Sequence, residues 1–186
     1  MTNFTYMQTK LQGLYIINLK PKVDDRGYFE RIYCSEEFKE LGLKKQINNI
    51  NCSFTKKKGT IRGLHFQYPP FQETKIIICL KGSVYDVAID IKKDSPTFLQ
   101  WHGEILDGKL KQMFLIPEGF AHGFQTLEDN IELLYLHTNF YNREYEYGLN
   151  FIDPFLNISW PLEVTEISEK DKNHKFISPN FKGVEL

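Results

Sequence analysis

The segment GTIRGLHFQ, residues 59–67, contains three side chains whose types could do chemistry. Arg62, His65 and Gln67 lie within six residues of a predicted strand. Because side chains alternate between the faces of a strand, His65 and Gln67 share one face, while the odd offset places Arg62 on the other. An imidazole changes its charge near neutral pH and suits proton transfer, but a histidine hydrogen-bonded within a sheet is the alternative.

Two further basic residues stand where composition alone does not explain them. Lys75 opens the apolar run KIIICL, in which a charge is not needed for solubility. The segment IPEGFAHGF, residues 116–124, has the form PxGxxH and predicts His122 at the start of a strand that follows a tight turn. This form matches the second motif of cupin barrels.

The first motif of such barrels supplies an HxH pair and a glutamate to a metal, and this sequence lacks that ligand set. The corresponding residues are His65, Phe66 and Gln67, and the next glutamate is Glu73. A borderline metal wants about three protein ligands in an open site, so two histidines make a poor one. The sequence therefore predicts no catalytic metal.

Arginine is scarce and unevenly placed. Only four of the 23 basic residues are arginine, and Arg26, Arg31 and Arg62 lie in the first third of the chain. The planar guanidinium makes bidentate contacts with phosphates, carboxylates and base edges, which lysine cannot reproduce. Chance clustering of so few residues is the alternative to a binding role.

Composition excludes several classes of protein. A formal charge of -1 without a basic stripe argues against nucleic-acid binding. No apolar run has the roughly 18–20 residues of a membrane span, and the N-terminus lacks a signal sequence, so we expect a cytoplasmic protein. Three scattered cysteines form neither a disulfide framework nor a zinc motif.

Short β-branched and aromatic runs, separated by turn residues, predict an all-β sandwich or barrel. The absence of a linker predicts one domain over residues 1–186, with a C-terminal extension from about residue 154 that packs back on the barrel as loops and short helical turns. One helix is predicted at 35–41, with Ser35 as its N-cap and Gly42 at its end. Residues 83–91 alternate as a strand with one face on the core and its carboxylates on the other face.

These motifs occur together in an order that resembles one family. The ordered segments are DDRGYFE, NINCSF, GTIRGLHFQYPP, ETK, GSVYDVAIDI, SPTF, IPEGFAHGF, LLYLHTNFY, DP, ISWP and EISEKD. Over about residues 12–175 the chain resembles the dTDP-4-dehydrorhamnose 3,5-epimerase family. The resemblance implies a cupin-type double-stranded β-helix, or jelly roll, with short peripheral helices. It also implies a homodimer without metal or organic cofactor that acts on a nucleotide-linked 4-keto-6-deoxy sugar.

The resemblance also implies roles for single residues. His65 matches the general base, Asp171 the carboxylate that orients it, Tyr135 the tyrosine on the opposite side of the sugar, and Lys75 the lysine near the ketone oxygen. The substrate-binding positions are Arg26 and Arg62 for the diphosphate, Asn51, Gln67 and His122 in the pocket, and Tyr141 near the nucleoside. Without the resemblance, Tyr135 would be read as a core aromatic, Asp171 as a surface charge and Lys75 as a strand-end charge.

One departure from the family pattern leaves the nucleotide open. The first motif of dTDP-specific members runs RGxFxE, but here Arg31 stands in the place of the glutamate, and Glu30 comes one residue early. A carboxylate can accept from the imide N–H of thymine, whereas arginine donates to acceptors such as those of guanine. A GDP-linked 4-keto-6-deoxy hexose or heptose is therefore an alternative substrate. A loop shift that restores Glu30 to the role of the family's glutamate is the other interpretation. A 3,4-ketoisomerase and a non-catalytic sugar-binding cupin are the alternative functions.

Overall fold

The computed structural model describes residues 3–186, which form fourteen strands and two short helices. The strands are β1 Phe4–Gln8, β2 Tyr15–Leu19, β3 Lys22–Asp24, β4 Gly27–Phe29, β5 Asn49–Thr55, β6 Thr60–Gln67, β7 Lys75–Lys81, β8 Ser83–Asp90, β9 Trp101–Asp107, β10 Gln112–Ile116, β11 Phe120–Thr126, β12 Ile131–His137, β13 Glu146–Gly148 and β14 Glu166–Ile167. The helices are α1 Ser35–Lys39 and α2 Glu169–Lys172. The predicted all-β class is confirmed.

Two main sheets form the body of the molecule. The first sheet has the order β1-β2-β10-β7-β12-β5, and the second has the order β13-β6-β11-β8-β9. All neighbouring strands in these two orders pair antiparallel. The short strand β14 pairs in parallel with the first residues of β6, Thr60 and Ile61. Each sheet draws strands from distant parts of the chain, as the predicted jelly roll requires.

The main apolar core lies between the two sheets. Ile77 of the first sheet and Val84, Ala88 and Phe124 of the second belong to one buried cluster. A second cluster, which includes Phe38 of α1, covers the outer face of the first sheet. The C-terminal residues cover the outer face of the second sheet, as predicted, and bury Ile177 there.

The prediction for residues 83–91 was wrong in one respect. The strand β8 is buried on both faces, and Asp86 and Asp90 are both fully buried. The alternation misled the prediction because both carboxylates are buried with polar partners. Asp86 is hydrogen-bonded to His122, and Asp90 accepts hydrogen bonds from Ser95 and Thr97. A buried carboxylate with such partners does not need the solvent.

The predicted helix is confirmed but shorter than 35–41. It ends at Lys39, and Cys34 rather than Ser35 is the N-cap, without a side-chain hydrogen bond. Ser35 is thus the first helical residue. No helix among residues 3–186 is long and apolar enough to cross a membrane.

Candidate active site

A cavity of about 790 Å³ is lined by residues of both sheets and of the C-terminal segment. Its volume falls within the range of about 300–1,000 Å³ that is typical of small-molecule sites. Nine of the eleven predicted site residues line it: Asn51, Arg62, His65, Gln67, Lys75, His122, Tyr135, Tyr141 and Asp171. Most of the predicted residues thus lie in one cavity, although they are far apart along the chain.

A β-bulge in β6 corrects the prediction that Arg62 and His65 lie on opposite faces. His122 of β11 pairs with His65, and Phe124 pairs with Arg62, so β6 has one extra residue between these two pairs. Because of this extra residue, the side chains of Arg62 and His65 lie on the same side of the sheet, and both line the cavity. Gly63 forms the bulge with a φ of +129°.

Only glycine fits at this bulge. A Cβ on Gly63 would lie 2.5 Å from the Cα of Gly123 and 2.9 Å from the carbonyl oxygen of His122. We expect Gly63→Ala to lower the free energy of unfolding by about 3 kcal/mol, since overpacking adds to backbone strain. Urea denaturation measures the loss.

Gly42→Ala is the control for that substitution. Gly42 also has a positive φ, of +84°, but has nothing within 4 Å of the added Cβ. We expect this control substitution to lower the free energy of unfolding only by the backbone strain, about 1 kcal/mol. Equal losses in the two variants would show that the close approach to β11 contributes nothing.

His65 and Asp171 form a hydrogen-bonded pair at one side of the cavity. His65 Nε2 lies 2.7 Å from Asp171 Oδ1, and the backbone N–H of Gly63 donates to Asp171 Oδ2 at 3.1 Å. Asp171 lies on α2, where its own backbone N–H donates to the Oγ of the N-cap Ser168. Burial raises the pKa of Asp171, but the hydrogen bonds from His65 and Gly63 outweigh it and leave the pKa below its usual value.

Tyr135 faces the cavity from the opposite sheet. Its hydroxyl lies 3.0 Å from Ser53 Oγ, and its ring packs against the main core. Burial raises the pKa of this phenol far above its ordinary value, so it keeps its proton at neutral and moderately alkaline pH. Tyr135 is therefore chemically suited to donate a proton from the side opposite His65.

Lys75, also on the first sheet, is a buried cation in the cavity wall. Its Nζ lies 3.3 Å from the backbone oxygen of His65 and 3.4 Å from Glu73 Oε1. Glu73 also accepts from His137 Nδ1 at 2.9 Å. Burial raises the pKa of Glu73, but Lys75 and His137 outweigh it and hold the pKa below its usual value. Glu73 thus balances the charge of the Lys75 ammonium, and the two acceptors fix its position. One of its three N–H donors is left for a ligand.

A second imidazole–carboxylate pair lies deeper in the cavity. His122 Nε2 is 2.8 Å from Asp86 Oδ1, and both side chains are buried. Burial lowers the pKa of His122 and raises that of Asp86, while their mutual attraction opposes both shifts. The pair can hold a polar group of a ligand by hydrogen bonding.

Charged and aromatic groups surround the cavity mouth. Arg62 Nε donates to Thr55 Oγ1 at 3.0 Å, and its side chain stays accessible. Glu146 accepts from Tyr141 Oη at 2.7 Å and from Lys170 Nζ at 2.5 Å. Burial raises the pKa of Glu146, but these two hydrogen bonds lower it below its usual value.

Arg26 and Arg31 do not line the cavity of their own chain. Arg26 lies on the β3–β4 hairpin, where its side chain is 90% exposed and its guanidinium pairs with Asp24. Arg31 is half-exposed, 3.9 Å from Glu37, and Glu30 pairs with Lys111 at 3.3 Å. Neither Glu30 nor Arg31 thus reaches the cavity of this chain.

Several cavity residues escaped the sequence reasoning: Ser53, Glu73, His137, Glu146 and Lys170. Lys170 was detectable, because it precedes Asp171 in the SEKD segment. Glu73 lies too far after His65 to complete a metal motif, and its local sequence predicts no other role for it. Glu146 had no signal, since it reaches the cavity through the pairing of β13 with β6, which the local sequence does not specify.

Comparison with known proteins agrees with this geometry. The family model described as dTDP-4-dehydrorhamnose 3,5-epimerase matches residues 8–178. The chain is 39% identical to the protein of that name from Methanothermobacter thermautotrophicus, over 97% of this chain and 98% of the relative. It is 40% identical to the one from Shigella flexneri, over 94% of this chain and 97% of the relative.

A solved structure shows the same architecture. It is the dTDP-6-deoxy-D-glucose-3,5-epimerase of Legionella pneumophila in complex with dTDP-4-keto-L-rhamnose, which superimposes with a TM-score of 0.88 at 39% identity. The match covers 93% of this chain and 92% of that chain. With the family model matching most of its length and relatives near 40% identity, the chain belongs to the dTDP-4-dehydrorhamnose 3,5-epimerase family.

Proposed function

We propose that this protein inverts the carbon stereocentres beside the ketone of a dTDP-linked 4-keto-6-deoxy sugar. One observation carries the proposal: the His65–Asp171 pair extends from the second sheet, while Tyr135 and Lys75 extend from the first sheet into the same cavity. Inversion needs a base and an acid on opposite faces of one carbon, and a donor at the ketone oxygen. The two sheets supply these groups from opposite walls.

The first step is removal of the hydrogen next to the ketone. The ring nitrogen of His65 that does not contact Asp171 accepts this proton, and the C–H electron pair moves to form an enolate at the ketone oxygen. The Lys75 ammonium stabilises the oxygen where the negative charge develops. Asp171 fixes the tautomer of His65 and stabilises the imidazolium that forms.

The second step delivers a proton to the other face. The Tyr135 hydroxyl donates its proton to the planar carbon and becomes a phenolate for that moment. The ketone reforms with the configuration inverted. His65 then loses the added proton and Tyr135 regains one, both by exchange with solvent, so no oxidant or cofactor enters the balance.

The remaining cavity residues form the binding surface. Arg62 carries the charge suited to the diphosphate, and Tyr141 offers an aromatic face to the nucleoside. Asn51 and His122 supply hydrogen bonds to the sugar and its linkage. Gln67 instead holds the cavity wall, since its amide nitrogen donates to the backbone oxygens of Phe71 and Phe140 and its oxygen accepts from the N–H of Asn142. The relatives reported above are all named for dTDP substrates, and they give no support to the GDP alternative.

We also propose a homodimer in which the β3–β4 hairpin of one protomer supplies Arg26 to the cavity of its partner. Arg26 matches a diphosphate-binding position but lies outside its own cavity. The hairpin exposes three large apolar side chains, Val23, Tyr28 and Phe29, of which Val23 is 76% exposed. Such a surface is suited to cover by a second chain. We place this dimer in the cytoplasm, with each chain acting as a single domain and its three cysteines free.

Mixing two inactive variants tests the exchange of hairpins. In a dimer of one Arg26→Ala chain and one His65→Ala chain, a hairpin that reaches across leaves one cavity with both lesions and the other with none. We expect the mixture to regain activity after subunit exchange, towards a quarter of the wild-type rate in the statistical limit. If Arg26 serves its own cavity, every cavity carries one lesion and no activity returns.

Deuterium incorporation tests the function itself. Incubation with dTDP-4-keto-6-deoxyglucose in deuterated water should place deuterium at carbon 3, carbon 5 or both, with inverted configuration, as read by NMR of the product. A product with its keto group moved to carbon 3 would indicate a ketoisomerase. Tight binding without exchange would indicate a sugar-binding protein, and either result would refute the proposal.

A thermal-shift comparison of dTDP and GDP tests the nucleotide. A ligand that binds only the folded state raises the melting temperature by mass action. We expect dTDP to raise it more than GDP at equal concentration. The reverse ranking would restore the GDP-linked hexose or heptose as the substrate.

A further inference from the structure

His174 has no part in the chemistry above, yet it lies against the catalytic pair. Its Nε2 is buried without a hydrogen-bond partner among residues 3–186 and lies 3.7 Å from Asp171 Oδ1. Its ring stands edge-on to that of His65, with centroids 5.8 Å apart and planes at 78°. A buried polar atom without a partner is costly and calls for an explanation.

The surrounding structure fixes His174 in this place. Its ring rests on the backbone of Gly148, where any Cβ would collide with the imidazole. Asn150 Nδ2 donates to the backbone oxygens of His174 at 2.7 Å and of Lys172 at 3.2 Å. The imidazole is therefore presented to Asp171 by a rigid support.

We propose that His65, Asp171 and His174 form a binding site for a zinc ion, and that occupation of this site stops epimerisation. Their ligand atoms all lie within 4.8 Å of one another. Tetrahedral zinc with bonds of about 2.0–2.1 Å places its ligand atoms about 3.3 Å apart. The separations of 2.7 Å and 3.7 Å from Asp171 Oδ1 lie on either side of that value, so small side-chain rotations suffice.

The chemistry of the three ligands selects the metal. Two imidazole nitrogens and one carboxylate oxygen suit zinc and similar transition metals, whereas Mg²⁺ and Ca²⁺ prefer oxygen alone. The charged groups that face His174 beside these ligands are Lys170 and Glu146, and they neutralise each other in an ion pair at 2.5 Å. The open cavity beside His65 leaves room for a fourth ligand.

Zinc at Nε2 of His65 would remove the base without changing the fold. The metal takes the nitrogen that now contacts Asp171, and the imidazole proton moves to the other ring nitrogen. That nitrogen then lacks the lone pair needed to accept a proton from the sugar. The inhibition rests on the proposed function, but the binding of zinc does not.

Binding is tested on the whole protein without any substrate. Zn²⁺ should shift the imidazole NMR signals of His65 and His174 but leave those of His102 unchanged. Co²⁺ should give the visible absorption of a tetrahedral site, and Mg²⁺ should do neither. We expect His174→Gln and His174→Ala to weaken the affinity for zinc by about tenfold or more.

His102→Gln is the matched control, because His102 pairs with Glu104 away from the cavity. It should bind zinc as the wild type does. Zinc should lower the initial epimerisation rate of the wild type by at least about tenfold, and a chelator should restore it. Wild-type zinc affinity in both His174 variants, or unchanged His65 and His174 signals, would refute the site. Zinc binding at this site without inhibition would refute only the regulatory step.

Discussion

Replacing His65 with alanine is expected to lower the rate of epimerisation by about 10³-fold or more, since a positioned general base contributes about 10²–10⁴-fold. That loss corresponds to about 4 kcal/mol of transition-state stabilisation. Deuterium exchange at the substrate should fall by the same factor, because no enolate forms without the base. Initial rates by NMR, in water and in deuterated water, measure both quantities.

Two controls separate this effect from general damage. His102→Ala removes an imidazole of similar exposure that does not line the cavity, and it should leave the rate within about twofold of the wild type. The His65→Ala variant should still be stabilised by dTDP in a thermal shift, which shows that the cavity persists. An active His65→Ala enzyme would assign the base to another residue, and His122 would be the next candidate.

Replacing Tyr135 with phenylalanine should separate exchange from inversion. The substitution removes the hydroxyl but keeps the ring that packs on the core. His65 can still form the enolate, so we expect deuterium to enter at one centre at a substantial rate. Net inversion should fall by about 10²-fold or more, because the opposite face has lost its proton donor. NMR of the sugar distinguishes deuterium retained in the original configuration from deuterium in the inverted one.

The controls for this prediction remove one neighbouring and one distant hydroxyl. Ser53→Ala deletes the hydrogen-bond partner of the phenol and should change inversion far less. Tyr68→Phe alters a partly buried tyrosine outside the cavity and should change neither measurement. If Tyr135→Phe lowers exchange and inversion by equal factors, the tyrosine does not act only as the acid of the opposite face.

The strands could be predicted well because the sequence marks them locally, whereas Tyr135, Lys75 and Asp171 were identified only through the family resemblance. PxGxxH fixes the turn before β11, and the apolar run after Lys75 fixes β7. The face of a residue was harder to predict. The side chains of Arg62 and His65 lie on the same side of the sheet only because Gly63 adds a residue to β6. Strict alternation of side chains along a strand cannot predict such a bulge.

Long-range partners were the other limit. The local sequence of Asp86 predicts a carboxylate on the face away from the core. The side chain is buried because His122, on the neighbouring strand β11, is its hydrogen-bond partner. His137, at the end of β12, pairs with Glu73, two residues before β7, and neither residue predicts the other from its own neighbours. Arg26 shows a different limit, because the family position predicts a diphosphate contact, whereas the side chain lies on an exposed hairpin outside the cavity.

The contact between His65 and Asp171 spans 106 positions of the chain. His65 lies on β6, whereas Asp171 lies on α2, which follows the short β14 strand that pairs with the start of β6. Local unfolding of residues 166–174 would therefore separate the two groups while the other strands of both main sheets stay paired. Under the proposed mechanism, the docking of this short segment couples local stability to the orientation of the base.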